Sequence, residues 1–156
     1  MSLEKAREYL RSKGFEDRII IPEQSSATVA EAARAIGCEP GMIAKTLSFL
    51  QDDSPVLILA EGMTKVDNRK YKERFGCKAK MIPGELVEDL VGHGVGGVCP
   101  FGVNEGVRVF LDEKLKRHAT VYPAAGSDHS AVRLSTAELE SVCGSEWVDV
   151  CKDIEA

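Results

Sequence analysis

The residues with the types and spacing to do chemistry fall in three places. The first is Lys45, in the run from Met42 to Leu50. Read as a strand, one face of that run carries Ile43, Lys45, Leu47 and Phe49, and the other Ala44, Thr46, Ser48 and Leu50. An ammonium on the more apolar face needs a carboxylate, carbonyls or a ligand anion as partner. The alternative is a lysine at a strand end that snorkels to water. The second place is Gly92 to Gly102, Gly-His-Gly-Val-Gly-Gly-Val-Cys-Pro-Phe-Gly. Glycine lets the backbone turn sharply and lets an oxygen approach its N–H groups closely. Pro100 stiffens the second half and pushes Cys99 toward an extended conformation. The combination suits a preformed cradle for a carbonyl or phosphate oxygen, and also a long turn between core elements. It matches neither a P-loop nor a dinucleotide fingerprint. The third place is the polar turn Gly126-Ser-Asp-His-Ser130. There Asp128 could orient His129 or a substrate amine, or simply cap its own turn.

Cys99 could pair with His93 or His129 as a nucleophile. The reading preferred here is a small buried apolar residue. His93 and His118 read as ordinary surface or loop residues. The five cysteines form no Cys-x-x-Cys pair and are odd in number. They indicate reduced thiols and a cytoplasmic setting, with no disulfide framework and no metal site.

The formal net charge of −5 excludes a surface that binds nucleic acid everywhere. Yet Lys65, Arg69, Lys70, Lys72, Arg74, Lys78 and Lys80 crowd one short segment against Asp67 and Glu73 alone. Such a patch can hold one polyanion, or be a solvated helix face. With 44% hydrophobic and 29% charged residues over 156 positions, the chain reads as one globular domain, 1–156. No apolar run is long enough to span a membrane, and the N-terminus lacks the apolar core of a secretory leader.

Several elements must position these groups. Helices are expected over residues 3–13, from a Thr28–Glu31 capping box to Gly37, over 67–75 with Gly76 as stop, after Pro83, and from a Ser135–Glu138 capping box to Gly144. Strands are expected at 19–21, 42–50, 55–60, 79–82, 107–111, 120–125, 131–134 and 147–150, with Pro123 implying an edge or bulge and the tail from Cys151 frayed. A charged turn runs from Asp112 to near His118. The links between the later strands are too short for parallel crossovers. The fold class is therefore α/β (α+β): a curved, partly closed, mixed and mostly antiparallel sheet with helices outside.

The chain resembles the YbaK/EbsC family, which includes the editing domain of bacterial prolyl-tRNA synthetase and free-standing aminoacyl-tRNA deacylases. The resemblance rests on Ile-Ala-Lys-Thr-Leu at 43–47, Val-Asp at 66–67, Gly-Gly-Val-Cys-Pro-Phe-Gly at 96–102 and Tyr-Pro-Ala-Ala-Gly at 122–126, in order over nearly the full length. It implies hydrolysis of the ester joining a wrong amino acid to the 3′ end of a tRNA, most often tRNA-Pro, in the context of a prolyl-tRNA synthetase or an elongation factor and without a cofactor. It makes Lys45 the family's lysine and places Gly96, Gly97, Val98, Cys99 and Pro100 at the reacting centre. Thr46, Phe101, Gly102, Gly126, Ser127, Asp128 and His129 are then substrate-binding, and His129 resembles a histidine of alanine-editing members. Lys65, Arg69, Lys70 and Arg74 would meet tRNA phosphates. An aminoacyl ester is already activated, so the site need only hold the adenosine, stabilise an oxyanion and place a water. The alternatives are a Cys-tRNA-Pro deacylase, a non-catalytic tRNA-binding module, and a small-molecule hydrolase using Cys99.

Overall fold

The computed structural model describes residues 2–22, 28–143 and 146–154. In chain order the elements are α1 (Ser2–Lys13), β1 (Ile19–Ile20), α2 (Val29–Ile36), β2 (Ile43–Gln51), β3 (Ser54–Glu61), β4 (Thr64–Val66), α3 (Asn68–Phe75) and α4 (Gly84–Val91). They continue with β5 (Arg108–Asp112), β6 (Thr120–Pro123), β7 (Ala131–Val132), β8 (Leu134–Ser135), α5 (Thr136–Cys143), β9 (Glu146–Val148) and β10 (Cys151–Asp153).

The local signals account for most boundaries. Thr28 Oγ1 accepts the Glu31 amide at 3.1 Å, and Gly37 closes α2 in the left-handed conformation. Asp67 accepts the amides of Arg69 and Lys70 at the head of α3. Ser135 and Glu138 cap α5 reciprocally, at 3.0 and 2.8 Å. The expected stop at Gly144 lies outside the described residues. β2 from Ala44 to Gln51 pairs with the whole of β3 through a two-residue turn, Asp52–Asp53, in which both residues have positive φ. Short polar side chains tolerate that conformation, and it matches the twist of a hairpin.

The sheet is mixed and curls into a half-barrel, with strand order β8-β6-β2-β3-β5-β9. Within it the parallel share is larger than the short links imply. β6 runs parallel to β2, β5 to β3 and β9 to β5, while β2–β3 and β6–β8 are antiparallel. The parallel neighbours are not consecutive strands, so the short links never have to make the crossovers. Pro123 sits at the end of β6, opposite Ala44 of β2, and not at a sheet edge. The 131–134 segment splits into β7, which pairs with β1, and β8, which pairs with β6. The 79–82 segment makes only one bridge, Met81 to Phe49, plus two flanking backbone bonds to Ser48 and Leu50. The expected frayed tail is instead β10, paired with β4 from Cys151↔Val66 to Asp153↔Thr64.

Apolar burial divides among three clusters. One lies between the sheet and α1 and α5, with Leu10, Leu59, Phe101 and Leu139 fully buried. A second lies under α3, where Tyr71 and Phe75 meet Phe49 and Phe110. The third seats α4 through Val87 and Val91 against Leu57. No described helix is long and apolar enough to cross a membrane.

One charged tie crosses this frame. Arg18 donates both terminal nitrogens to the Glu138 carboxylate at 2.9 Å, joining the turn before β1 to α5. Arg18 and the Ser135 amide hold that carboxyl down at about 2. Its folded value is depressed, so its stabilisation is complete above the unfolded value of about 4.3 and fades as pH falls toward 2. Arg18→Met should lower the melting temperature at pH 7, and by progressively less below about pH 4. Thermal melts of both proteins from pH 7 to 2 test this, and a pH-independent difference would contradict it.

Candidate active site

α4 ends at Gly92, whose φ of 104° lets the chain leave the helix sharply. The loop that follows is anchored at its base, where the Asn104 amide donates to Val91 O and Asn104 Nδ2 to Asp89 O. At its far end Gly97 lies against the turn after β6. A Cβ on Gly97 would fall 2.5 Å from Gly126 O and 2.8 Å from Ser127 N, so only glycine permits the approach. The turn is knotted by Ser130, whose Oγ accepts the Ala125 and Ser127 amides at 3.3 and 3.2 Å. Loop and turn therefore meet backbone to backbone.

Between them and β2 lies a cavity of about 370 Å³. Its β2 border is Ala44, Lys45, Thr46 and Ser48; its loop border is Val95, Gly96 and Val98; its turn border is Ser127, Asp128 and Ser130. Val29, Ala32 and Ile36 of α2 close the apolar side, with Tyr122 and Met81. Thr46 Oγ1 is buried and has no hydrogen-bond partner among the described residues. A hydroxyl left so is costly until something polar meets it.

Lys45 is half-buried, and its ammonium donates to the carbonyls of Gly62, at 3.4 Å, and Thr64. Of the partners open to an inward lysine, the structure supplies carbonyls. Burial lowers its pKa, and the nearby Cys151 and Glu61 partly offset that.

The cavity thus brings together Lys45, Thr46, Gly96, Val98, Ser127 and Asp128. Gly97 and Gly126 support it from behind. The remaining residues expected at the reacting centre or in substrate contact do not line the cavity. Cys99 and Phe101 are wholly buried in the core beside α1. Burial pushes the Cys99 thiol up to about 12, so it is neither exposed nor ionised near neutrality. Pro100 is buried as well, and Gly102 packs against the Lys5 carbonyl of α1. His129 is exposed, bonded to Asp128 at 2.9 Å, and outside the cavity lining. His93 is not a surface residue: it is fully buried, with Nε2 2.6 Å from Phe101 O and 3.5 Å from Cys99 Sγ. Desolvation lowers its pKa, so this ring is a neutral prop inside the loop.

Three cations of the basic segment are occupied by carboxylates. Lys70 binds Asp149 at 3.0 Å, Arg74 binds Glu146, and Arg69 meets Glu73 at 3.5 Å. Lys65 is exposed on β4, and neither it nor any α3 residue borders the cavity. Ser48 and the α2 face are cavity residues that the motifs do not mark, while Tyr122 and Ser130 lie within those motifs without being expected as site residues. Of the unmarked residues Ser48 has a signal, two positions after Thr46 on the same strand face.

The aminoacyl-tRNA editing domain model matches residues 23–142. The chain belongs to that family. An uncharacterized protein of Bacillus subtilis, YwhH, is 46% identical to this editing domain over 99% of the chain and all of its own length. The proline–tRNA ligase of Streptococcus sanguinis is 30% identical over 65% of the chain, a stretch that makes up 17% of the ligase. A solved structure of a candidate trans-editing enzyme for prolyl tRNA synthetase superposes with a TM-score of 0.89 at 30% identity, covering 97% of both chains.

The contact between loop and turn makes a two-sided prediction. Gly97→Ala must push the Gly126 backbone away and should lower the melting temperature and destroy ligand binding in the cavity. Cys99→Ala should fold and keep the function, and native Cys99 should resist thiol reagents at pH 8. Labelling counted by mass, with melts of both variants, checks this. Rapid modification of Cys99 in the folded protein would contradict it.

Proposed function

We propose that this editing domain is a free-standing deacylase that hydrolyses the ester joining a small non-cognate amino acid, alanine first, to the 3′ end of tRNA-Pro. The supporting observation is the cavity itself. It is of amino-acid scale, bordered by two backbone loops, and contains an unpartnered buried hydroxyl on Thr46. The family membership supplies the reaction class.

In this reading the terminal adenosine enters beside the glycine loop. Water attacks the ester carbonyl carbon, and the resulting oxyanion is met by N–H groups of residues 96–98. The tetrahedral intermediate collapses with loss of the ribose 3′ oxygen, which takes up a proton. The products are a free amino acid and an uncharged tRNA. Lys45 lends positive charge to the ribose or phosphate oxygens near the scissile bond, Thr46 takes a substrate polar atom, and Asp128 faces the α-ammonium. Cys99 has no part in the chemistry, which sets aside the thiol-hydrolase reading. The apolar wall of Val29, Ala32 and Ile36 limits side-chain size and shape.

The tRNA body is held through phosphates by exposed cations, Lys65 foremost. Arg69, Lys70 and Arg74 contribute by exchanging their own carboxylate partners for phosphate. Turnover belongs in the cytoplasm, beside a prolyl-tRNA synthetase and its mischarged product.

The test is a panel of Ala-, Cys- and Pro-tRNA-Pro. Alanine should be released fastest and proline spared, and Lys45→Ala should lower kcat by about 100-fold while leaving the fold intact. A preference for the cysteinyl ester would move the substrate assignment. Indifference among the three esters, or near-normal turnover by Lys45→Ala, would overturn the mechanism.

A further inference from the structure

A buried polar cluster behind Lys45 has no role in the chemistry above. Glu61, the last residue of β3, is only 4% exposed and lies opposite Ala44, the neighbour of Lys45. Its Oε1 accepts the Met63 amide at 2.5 Å, and its Oε2 lies 2.9 Å from His118 Nε2. Arg117 stands 3.8 Å from the same oxygen. The Glu61 carbonyl accepts Thr64 Oγ1 at 2.8 Å. Gly62 is wedged in place, since a Cβ there would sit 1.9 Å from Pro40 O. The turn from Glu61 to Thr64 is thus fixed from both sides. In that arrangement its Gly62 and Thr64 carbonyls are the two acceptors of the Lys45 ammonium.

A tight turn closes without a buried carboxylate, and burying one is costly. We infer that Glu61 is a positioning residue for Lys45: it braces the turn whose carbonyls hold the ammonium, and it sets a buried negative charge near that ammonium. Its consequence for catalysis rests on the deacylase reading; its electrostatic effect on Lys45 does not. Among the described residues, the titratable groups that act on the ammonium are Cys151 from β10 and Glu61 from β3, and Asp128 borders the same cavity. The Cys151 thiol is raised to about 12 by burial and by Asp112, so it is neutral near pH 7. Arg117 and His118 face Glu61 from the short turn after β5. With that thiol neutral, Glu61 is the negative charge behind the strand that opposes the desolvation of Lys45 among the described residues.

The test follows the Lys45 side chain by lysine NMR, with its signal assigned by Lys45→Arg. In Glu61→Gln, which keeps the size and one acceptor, the Lys45 titration midpoint should fall by about one pH unit. His118→Gln removes the hydrogen-bond partner and leaves the Glu61 carboxylate in place, so that variant should not move the midpoint. By reciprocity, Lys45→Met should raise the Glu61 midpoint, a readout that stands even if Glu61→Gln does not fold. The alkaline limb of kcat for alanyl-tRNA hydrolysis should shift with Lys45, with KM unchanged. An unmoved Lys45 midpoint in Glu61→Gln, an equal shift in His118→Gln, or an unmoved Glu61 midpoint in Lys45→Met would overturn the inference. Absence of deacylation by the wild type would sink the functional reading and leave the coupling to be decided by NMR.

Discussion

The backbone of Gly97 touches the backbone of Gly126 and Ser127 more closely than any side chain would allow. That contact joins two segments separate in sequence and turns a gap between loops into a walled cavity. It also sorts the residues around it. With the loop pinned at Gly97, Val98 faces the cavity and Cys99 turns into the core against α1. His93 fills the interior of the loop and holds Phe101 O. The apolar interior of the loop is thus the foundation of its polar edge. The thiol and imidazole 3.5 Å apart are both buried there, and burial disfavours the charged form of each.

Charge is treated in two ways. On the α3 side, cations are neutralised by surface carboxylates, in exposed pairs worth at most about 1 kcal/mol each, so another anion can compete for them. Beside the cavity, Lys45 has no direct carboxylate partner among the described residues and is held by carbonyls, with Glu61 acting across the turn. A lysine held by dipoles alone keeps more of its field for a substrate oxygen than one in a close ion pair.

The sequence made local features legible and hid the long-range ones. Capping at Thr28, Asp67 and Ser135 and the stops at Gly37 and Gly76 could be read because each depends on atoms within a few residues. The apolar setting of Lys45 was legible from strand alternation, and the loop from its glycines. The parallel pairings β2–β6 and β3–β5 were not, because strand pattern does not reveal which neighbour a strand takes. The partners of Lys70 and Arg74 lie 79 and 72 residues away, so composition showed the cations and not their neutralisation. Burial of His93 left no trace in a run of glycines. The expected disorder after Val150 failed because Cys151 to Asp153 find an open edge at β4.

The claim on which the functional reading depends is that the cavity between β2, the glycine loop and the 126–130 turn receives the aminoacyl end of the tRNA. Amide NMR with a non-hydrolysable 3′-alanylamido adenosine tests it most directly. Saturable shifts should appear at Gly96, Gly97, Val98, Ser127 and Asp128, with the α3 amides unmoved and the prolyl analogue binding more weakly. Shifts confined to α3, or equal binding of the alanyl and prolyl compounds, would contradict it.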